Sequence, residues 1–307
     1  GDGSVGNPWA TATKASTEFA AAVGANQVGA VHVDGIDLEG AHTTDVGAAF
    51  NLLRAGGVAA DQSPWDLMVV DSEVTNFGMV CYCNPNFGGG PTHADRDEGC
   101  FDFIAFQDCG FEGTRSYHWY GFFLANEVLA RNVEFRVQGG GFPSGIVRIW
   151  ALGRMYWEGC TTPGVSAGIR LMVNNNTPEG GFRNATFVSC THVGIAIGAD
   201  PGATGSHYFG DVRLVGCRAE SNPHLQIRAD DAGSNGINLA RLDMIACQTM
   251  NGSMLTAPGS AATPHTYSKI RVRDSIATLR GASFAYLPAA ASRVADAYYT
   301  FTGNTKI

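Results

Sequence analysis

The chain has 307 residues, of which 45% are hydrophobic and 16% charged, a composition typical of a packed protein rather than a disordered one. Its net charge is −8 and its only lysines are Lys14, Lys269 and Lys306, so the sequence disfavours nucleic-acid binding, which needs a basic face. The chain contains no apolar run of about 18 residues, and we expect no membrane span.

The first 60 residues differ in pattern from the rest of the chain. Segments 8–23 and 44–56 have the apolar spacing of helices, and Pro8 suits the first turn of a helix. A short strand is expected at 31–33, between the two segments. The chain begins at Gly1 without a secretory leader, and we interpret it as a mature or excised chain.

Between residues 61 and 307, a seven-residue frame recurs with apolar residues at positions two and four and Cys or a small polar residue at position seven. Its occurrences are DLMVVDS (66–72), FIAFQDC (103–109), NVEFRVQ (132–138), RMYWEGC (154–160), NATFVSC (184–190), DVRLVGC (211–217), RLDMIAC (241–247), KIRVRDS (269–275) and YYTFTGN (298–304). Alternation with period two predicts a strand whose second and fourth residues face inward and whose first, third and fifth face outward. A second strand follows in most repeats, as at 145–151, 168–173, 194–199, 224–229 and 281–287.

Repeats of about 28 residues with two or three short strands predict an all-β fold, a right-handed parallel β-helix of about nine coils. A solenoid exposes its hydrophobic end, so residues 1–60 are assigned to an N-terminal helical cap and first coil. The seventh frame position turns back inward. Five cysteines are therefore expected to stack as a buried interior ladder, namely Cys109, Cys160, Cys190, Cys217 and Cys247.

Segment 84–99 is the largest insertion, and we expect it to form a loop on the flank of the solenoid. Cys83 and Cys100 are candidates for a disulfide across it, and buried thiols are the second interpretation. A zinc site of Cys81, Cys83, Cys100 and His93 is the third. The acidic run at 95–98 is a candidate for calcium, although a solvated loop explains it better, and no other cofactor is expected.

The opening GDGSVGNPWATATKA (1–15) is similar to the start of many secreted right-handed β-helix proteins. The coils resemble those of the pectate-lyase-like superfamily, and this resemblance covers nearly the whole chain. It implies one of several functions, since the superfamily includes polysaccharide lyases, glycoside hydrolases, epimerases, phage tailspikes and non-catalytic surface proteins. The polygalacturonase-like set is not matched, because Asn-Thr-Asp, Gly-His-Gly and Arg-Ile-Lys do not occur in order.

A column of Arg and aromatic residues on the second strands is the leading candidate site. Arg148 and Arg170 fall in neighbouring coils, and Arg binds carboxylates through two hydrogen bonds while aromatic faces stack on sugar rings. In a polyuronate lyase, a cation neutralises the substrate carboxylate and a base removes the adjacent proton. The candidate catalytic residues are His118, Tyr120, Arg148 and Arg170, and the candidate ligand-binding residues are Tyr82, Trp119, Trp150, Gln226 and Arg228. An ordinary arginine ladder on a solvated face explains the same pattern.

A hydrolase needs two carboxylates that face one cleft, about 5–9.5 Å apart. The candidate acids are Asp200, Asp230 and Asp231 after second strands, and Asp211 and Asp243 on first strands. The candidate bases or ligands nearby are His192, His207 and His224. Turn chemistry accounts equally well for the first three aspartates.

These patterns lead to a leading functional hypothesis and an alternative. The leading hypothesis is an extracellular or cell- or virion-surface protein that binds or acts on an acidic polysaccharide, with β-elimination favoured over hydrolysis if it is an enzyme. The alternative is a non-catalytic structural protein of a surface, virion tail or filament. Because the last frame ends three residues before Ile307, homo-oligomeric or end-to-end assembly is a further expectation.

Overall fold

The structure is a computed structural model, and its strands are numbered here in chain order. It describes residues 29–39, 48–54, 65–77, 79–85, 101–113, 119–121, 125–137, 147–149, 151–162, 169–173, 181–192, 194–199, 207–220, 225–229, 237–250, 252–256, 266–278, 284–286 and 298–307. Within these ranges all regular structure is β, and no helix is found. The first predicted helix, at 8–23, lies outside them.

Sheet 1 is the longest sheet, with ten parallel strands that neighbour one another in chain order. Its strands are β1 (Gly29–Asp34), β4 (Trp65–Val70), β7 (Phe101–Gln107), β10 (Ala125–Arg131), β13 (Ala151–Glu158), β15 (Gly181–Val188), β18 (His207–Val215), β21 (Ile237–Ile245), β24 (Thr266–Arg273) and β27 (Tyr298–Thr302). Each strand after the first pairs in parallel with the strand of the preceding repeat. Sheet 1 therefore defines ten repeats, one per strand.

Two further sets of parallel strands complete the repeats. Sheet 2 consists of a four-stranded part, with β2 (Leu38–Glu39), β5 (Glu73–Phe77), β8 (Gly110–Gly113) and β11 (Glu134–Val137), and a five-stranded part, with β16 (Thr191–His192), β19 (Arg218–Ala219), β22 (Gln248–Thr249), β25 (Ile276–Ala277) and β28 (Thr305–Lys306). Bridges through Thr161 join the two parts. Sheet 3 has nine strands, β3 (Ala48–Arg54), β6 (Met79–Pro85), β9 (Trp119–Gly121), β12 (Val147–Ile149), β14 (Ile169–Val173), β17 (Ile195–Ala199), β20 (Leu225–Ala229), β23 (Leu255–Thr256) and β26 (Ala285–Tyr286).

The chain visits the three sheets in the same order in successive repeats and then returns to the adjacent strand of sheet 1. Long parallel sheets built in this way are consistent with a β-solenoid. The predicted all-β class and the predicted parallel strands are thus confirmed for the described part of the chain. The frames at 66–72 and 103–109 and those from 154–160 onward coincide with strands of sheet 1, in the predicted register.

A left-handed backbone residue ends the sheet 1 strand of every repeat, at the sixth frame position. Its φ lies between 47° and 63° in all ten repeats. The residues are Gly35, Asp71, Asp108, Asn132, Gly159, Ser189, Gly216, Ala246, Asp274 and Gly303. Gly, Asn and Asp tolerate this conformation best, and they occupy eight of the ten positions. From the repeat of β4 to that of β24, this turn brings the seventh residue back into the interior, whereas Ile36 of the first repeat is 43% exposed.

The interior is filled by the second and fourth frame residues, as alternation predicts. Ile104 and Phe106, for example, are fully buried, and so are Phe187 and Leu214. A chain of aromatic rings crosses successive repeats, with centroid distances between neighbouring rings of 5.1 to 5.8 Å; its members are Phe106, Phe111, Phe135, Trp157 and Phe187. These contacts fix the order of the central repeats through edge-on and stacked packing.

The predicted cysteine ladder is confirmed. All five ladder cysteines are buried and none forms a disulfide. The Cys109 thiol donates to the carbonyl oxygen of Gln107 in its own repeat at 3.0 Å and of Val69 in the preceding repeat at 3.5 Å. The same two carbonyl positions accept from Cys160, Cys217 and Cys247 at 3.4 to 3.6 Å. The thiol thus serves as a small buried donor that links one repeat to the next.

Polar residues perform the same task at both ends of the ladder. The Ser72 hydroxyl donates to the carbonyl of Val70 at 2.8 Å, and the Ser275 hydroxyl donates to that of Arg273 at 3.0 Å. The Asn304 amide donates to the carbonyl of Val272 at 3.0 Å, and its side-chain oxygen accepts from the backbone N–H of Ser275 at 2.9 Å. Cys, Ser and Asn are therefore interchangeable here, because each offers a short side-chain donor.

The structure corrects the predicted frame at 132–138. In this repeat the sheet 1 strand is β10, and residues 134–137 form β11 of sheet 2 instead. The true frame is 127–133, with Val128 and Ala130 inward and Val133 at the ladder position. Two consecutive strands, separated only by Asn132 and Val133, both alternate, so the pattern fits either register.

The structure also corrects the N-terminal assignment. Residues 48–54, within the predicted helix at 44–56, form strand β3 and pair in parallel with β6. The run AAFNLLR is short and apolar, and such a run fits a buried strand as well as a helix. Strand β1 confirms the short strand predicted at 31–33, and it precedes the nine repeats that the recurring frame predicted. Of the predicted loop at 84–99, residues 84 and 85 end β6 and the remainder lies outside the described ranges.

Candidate functional site

The predicted Arg and Tyr residues occupy one register column of sheet 3. Tyr82 on β6 is paired with Tyr120 on β9, which is paired with Arg148 on β12. Arg148 is in turn paired with Arg170 on β14. The column continues through Ala196 to Gln226. The prediction that Arg148 and Arg170 lie on neighbouring strands is confirmed at the level of backbone register.

Neighbouring members show which face of sheet 3 this column belongs to. On β17, Ile195 and Ile197 are buried. Ala196, which lies between them along the strand and belongs to the column, is partly exposed. Leu255 is buried and Thr256, the column member on β23, is partly exposed. Ala196 and Thr256, which continue the register column of Tyr120, Arg148 and Arg170, are thus partly exposed positions that alternate with core residues.

The other predicted ligand-binding residues fall in different places. Trp119 is paired with Val147, in the column that continues to the buried Ile195. Arg228 is paired with Gly198 and lies two positions beyond Gln226 on β20. His118 and Trp150 lie outside the part of the chain that the structure describes. The four-strand segment from Tyr82 to Arg170 is thus the continuous part of the candidate site.

A second charged cluster lies on sheet 1 and centres on Asp243, one of the predicted hydrolase acids. Its side chain is only 4% exposed although it occupies the third frame position, which was expected to face solvent. Arg271 donates to both carboxylate oxygens, from Nε at 2.8 Å and from Nη2 at 3.0 Å. Arg241 Nη2 approaches Asp243 Oδ2 at 2.6 Å. Two guanidinium groups thus hold one buried carboxylate.

These partners decide the protonation state of Asp243. Burial alone would raise the pKa of the carboxyl, but the hydrogen bonds and charges of Arg271 and Arg241 outweigh burial and lower this pKa below its usual value. Asp243 is therefore ionised and occupied by ion pairs, which makes it unsuitable as a general acid. Its partner in the hydrolase hypothesis, Asp211, is exposed and pairs in register with Arg241.

Of the remaining predicted acids and histidines, the structure describes only His192 and His207, and neither pairs in register with Asp243 or its two arginines. His192 is buried on β16 of sheet 2 and pairs in register with Ala219. His207 begins β18. Three aspartates and one histidine lie outside the described ranges, namely Asp200, Asp230, Asp231 and His224. No paired-carboxylate site is therefore found among the described residues.

A row of cations on β24 was missed by sequence reasoning. Lys269, Arg271 and Arg273 occupy the first, third and fifth positions of the frame, which alternate with the buried Ile270 and Val272. The signal was present in the frame KIRVRDS, where every outward position carries a positive charge.

The thiols offer little reactivity. Burial raises the pKa of Cys109 and Cys247, the latter to about 12. The hydrogen-bonded neighbour Cys160, followed by burial, raises the pKa of Cys190 to about 12. No cluster of three or more potential metal ligands is found in the described residues. Cys81 and Cys83 lie on β6 and Cys100 lies outside the described ranges, so the disulfide, thiol and zinc alternatives remain predictions.

Comparison with known protein families, with curated proteins and with solved structures found no match for this chain. Among the described residues, no helix combines the length and the apolar character that crossing a membrane requires. Function must therefore be argued from the residues of this chain alone.

Proposed function

We propose that the chain is a right-handed parallel β-helix that binds an acidic polysaccharide outside the cell or at a cell or virion surface. The parallel sheets and the fixed order of strands support the architecture. The handedness rests on the rule that crossovers between parallel strands of one sheet are right-handed in about 98% of cases. A density map in which successive repeats wind in the left-handed sense would overturn this part of the proposal.

The observation that carries the binding proposal is the register of Tyr120, Arg148 and Arg170 on adjacent strands of sheet 3. Neighbouring strands are about 4.8 Å apart, so the three residues follow one another along a line across the sheet. Arginine recognises carboxylates through paired hydrogen bonds, and a tyrosine ring offers an apolar face to a sugar. A linear polymer of acidic sugars matches this repeated chemistry better than a compact ligand.

The same column favours β-elimination over hydrolysis if the protein is an enzyme. In that role, Arg148 and Arg170 neutralise the substrate carboxylate and Tyr120 or His118 removes the proton beside it. The glycosidic C–O bond at the next carbon then breaks as the C=C bond forms, and the leaving oxygen takes up a proton from the base or from water. Hydrolysis requires two carboxyl groups in distinct protonation states. Asp243 lacks this capacity because two arginines hold it ionised.

A structural role at a surface or in a filament is the second candidate function. It is supported by the regular interior ladder, in which the same hydrogen-bond pattern recurs from repeat to repeat. Such regularity stiffens a protein without requiring a ligand.

The test is incubation with a panel of acidic polysaccharides, followed by ultraviolet absorbance of unsaturated uronate, by reducing ends and by direct binding. We expect binding that weakens in the Arg148→Gln/Arg170→Gln double variant but not in Arg154→Gln, an exposed arginine on sheet 1. Rising absorbance would add lyase activity to binding. Absence of binding to every member of the panel would overturn the proposal in favour of the structural role.

A further inference from the structure

The outer face of sheet 1 carries a concentrated positive charge in repeats seven to nine. We call this surface the basic face; it comprises Arg213, Arg241, Lys269, Arg271 and Arg273. Only Asp211 and Asp243 oppose these five cations within the same three strands, so the local net charge is +3 on a chain of net charge −8. Arg213 and Lys269 are exposed.

The two strands that flank this surface, β15 and β27, place no acidic residue in register with it. The buried Asp243 is shared by Arg241 and Arg271. For Arg213 and Arg273, no ion pair with another described residue is found. On the far side of β24, the residues in register with its three cations are Tyr298, Thr300 and Thr302, which are uncharged.

Charge is also distributed unevenly along the whole sequence. Residues 1–137 contain 18 acidic and 6 basic residues, a net charge of −12, whereas residues 138–307 contain 10 acidic and 14 basic residues, a net charge of +4. A polyanion is therefore repelled by the first half of the chain and attracted by the second. The basic face lies in the attractive half.

We propose that the basic face is a second binding surface for a linear polyanionic glycan, separate from the sheet 3 column. This inference takes its ligand class from the proposed function. Alternate residues of a strand are about 6.7 Å apart and neighbouring strands about 4.8 Å apart, so the cations form a flat grid. The Asp243 carboxylate orients Arg271 and Arg241 within this grid, since it fixes their guanidinium groups. Closely spaced anionic groups on an extended chain complement such a grid, and engagement of two surfaces by one polymer increases avidity.

The experiment compares two double variants that remove the same charge. Arg213→Gln/Lys269→Gln changes exposed residues of the basic face, and Arg154→Gln/Arg218→Gln changes exposed arginines elsewhere. Arg154 pairs in register with Glu127, so its charge is balanced locally. Binding of polygalacturonate and of dextran sulfate is measured by calorimetry at two salt concentrations, and far-UV circular dichroism verifies the fold of each variant.

We expect the basic-face variant to raise Kd by about fivefold to tenfold, with a weaker salt dependence, and the control to change Kd by less than about twofold. The two polymers distinguish carboxylate from sulfate as the preferred anionic group. Equal losses in both variants, or an unchanged Kd in the basic-face variant, would overturn the inference. Binding that depends on Arg213 and Lys269 but not on Arg148 and Arg170 would reject the sheet 3 site while supporting the basic face.

Discussion

The left-handed sixth position of the frame yields a quantitative prediction from two successive repeats. Gly216 and Ala246 occupy the same position, with φ of 62° and 52°. The left-handed conformation raises the free energy of the folded state by about 1–2 kcal/mol for an L-residue such as alanine, but not for glycine. Against this, glycine lowers the stability by about 0.4–1 kcal/mol relative to alanine, because it gives the unfolded chain more conformational entropy. We therefore expect Ala246→Gly to stabilise the protein by about 0.5–1 kcal/mol.

The reverse substitution, Gly216→Ala, should destabilise by about the same amount. A Cβ added at Gly216 would come no closer than 3.7 Å to Ser189 Oγ, an ordinary van der Waals contact, so the cost is conformational rather than steric. Gly210→Ala is the steric control, because its Cβ would overlap the backbone carbonyl oxygen of Arg183. This variant should lose more than about 2 kcal/mol.

Urea unfolding monitored by circular dichroism measures all three variants. The midpoint should rise for Ala246→Gly, fall for Gly216→Ala and fall furthest for Gly210→Ala, with the dependence on urea unchanged. If Ala246→Gly lowered the midpoint as much as Gly216→Ala does, the sixth position would not be left-handed in solution and the turn argument would be refuted.

Three further predictions concern ion pairs and thiols. Asp243→Asn should lower the free energy of unfolding by about 1–3 kcal/mol, because it leaves two guanidinium groups beside a neutral group. The control Glu158→Gln changes a half-exposed ion pair with Arg131, and it should lower this free energy by less than about 1 kcal/mol in the same urea assay. Because the pKa of Asp243 is lowered in the folded state, the ion pair stabilises the protein above about pH 4 and this stabilisation is lost as the pH falls through the folded pKa. The stabilities of wild type and Asp243→Asn, measured against pH, should therefore converge in acid. A constant difference between them would contradict the ion pair. Cys190 and Cys247 should remain unlabelled by a thiol reagent at pH 8 in the native protein and react after unfolding, as peptide mass mapping can establish.

The interior was predictable because it is periodic. Alternation identified the inward residues of eight of the nine frames, and the recurrence of Cys at position seven identified the ladder. The chemistry of the ladder explains this success, since most repeats place a short side-chain donor there, with Ile36 and Val133 as the exceptions. Position seven is therefore constrained more tightly than any outward position.

The errors have a common physical origin. In the repeat of β10 and β11, two alternating strands separated by one turn gave two plausible registers, and no cysteine marked the correct one. In β3, an apolar run without polar alternation carried no information about its period. Local pattern fails where neither a marker residue nor a solvent-facing position distinguishes the alternatives.

The candidate site was predictable only in part. The spacing of the repeats predicted that Arg148 and Arg170 lie in neighbouring repeats, and the two residues are indeed paired on adjacent strands. The burial of Asp243 could not be inferred, because it depends on arginines from two strands that converge on one carboxylate. Alternation gives the face of a residue, whereas burial on that face depends on the length and conformation of neighbouring side chains.

This division between interior and exterior bears on how function is assigned to such a chain. The interior repeats similar packing and hydrogen bonds in most repeats, so it specifies the fold and carries little information about the ligand. The outward columns vary freely between acidic, aromatic and basic residues, as Glu127, Tyr156 and Lys269 illustrate on sheet 1. Strands in register align such residues at intervals of about 4.8 Å, so like residues on neighbouring strands form a row across the sheet. An extended polymer fits a row of this kind, which is why we propose a linear polyanion as the ligand of both candidate surfaces.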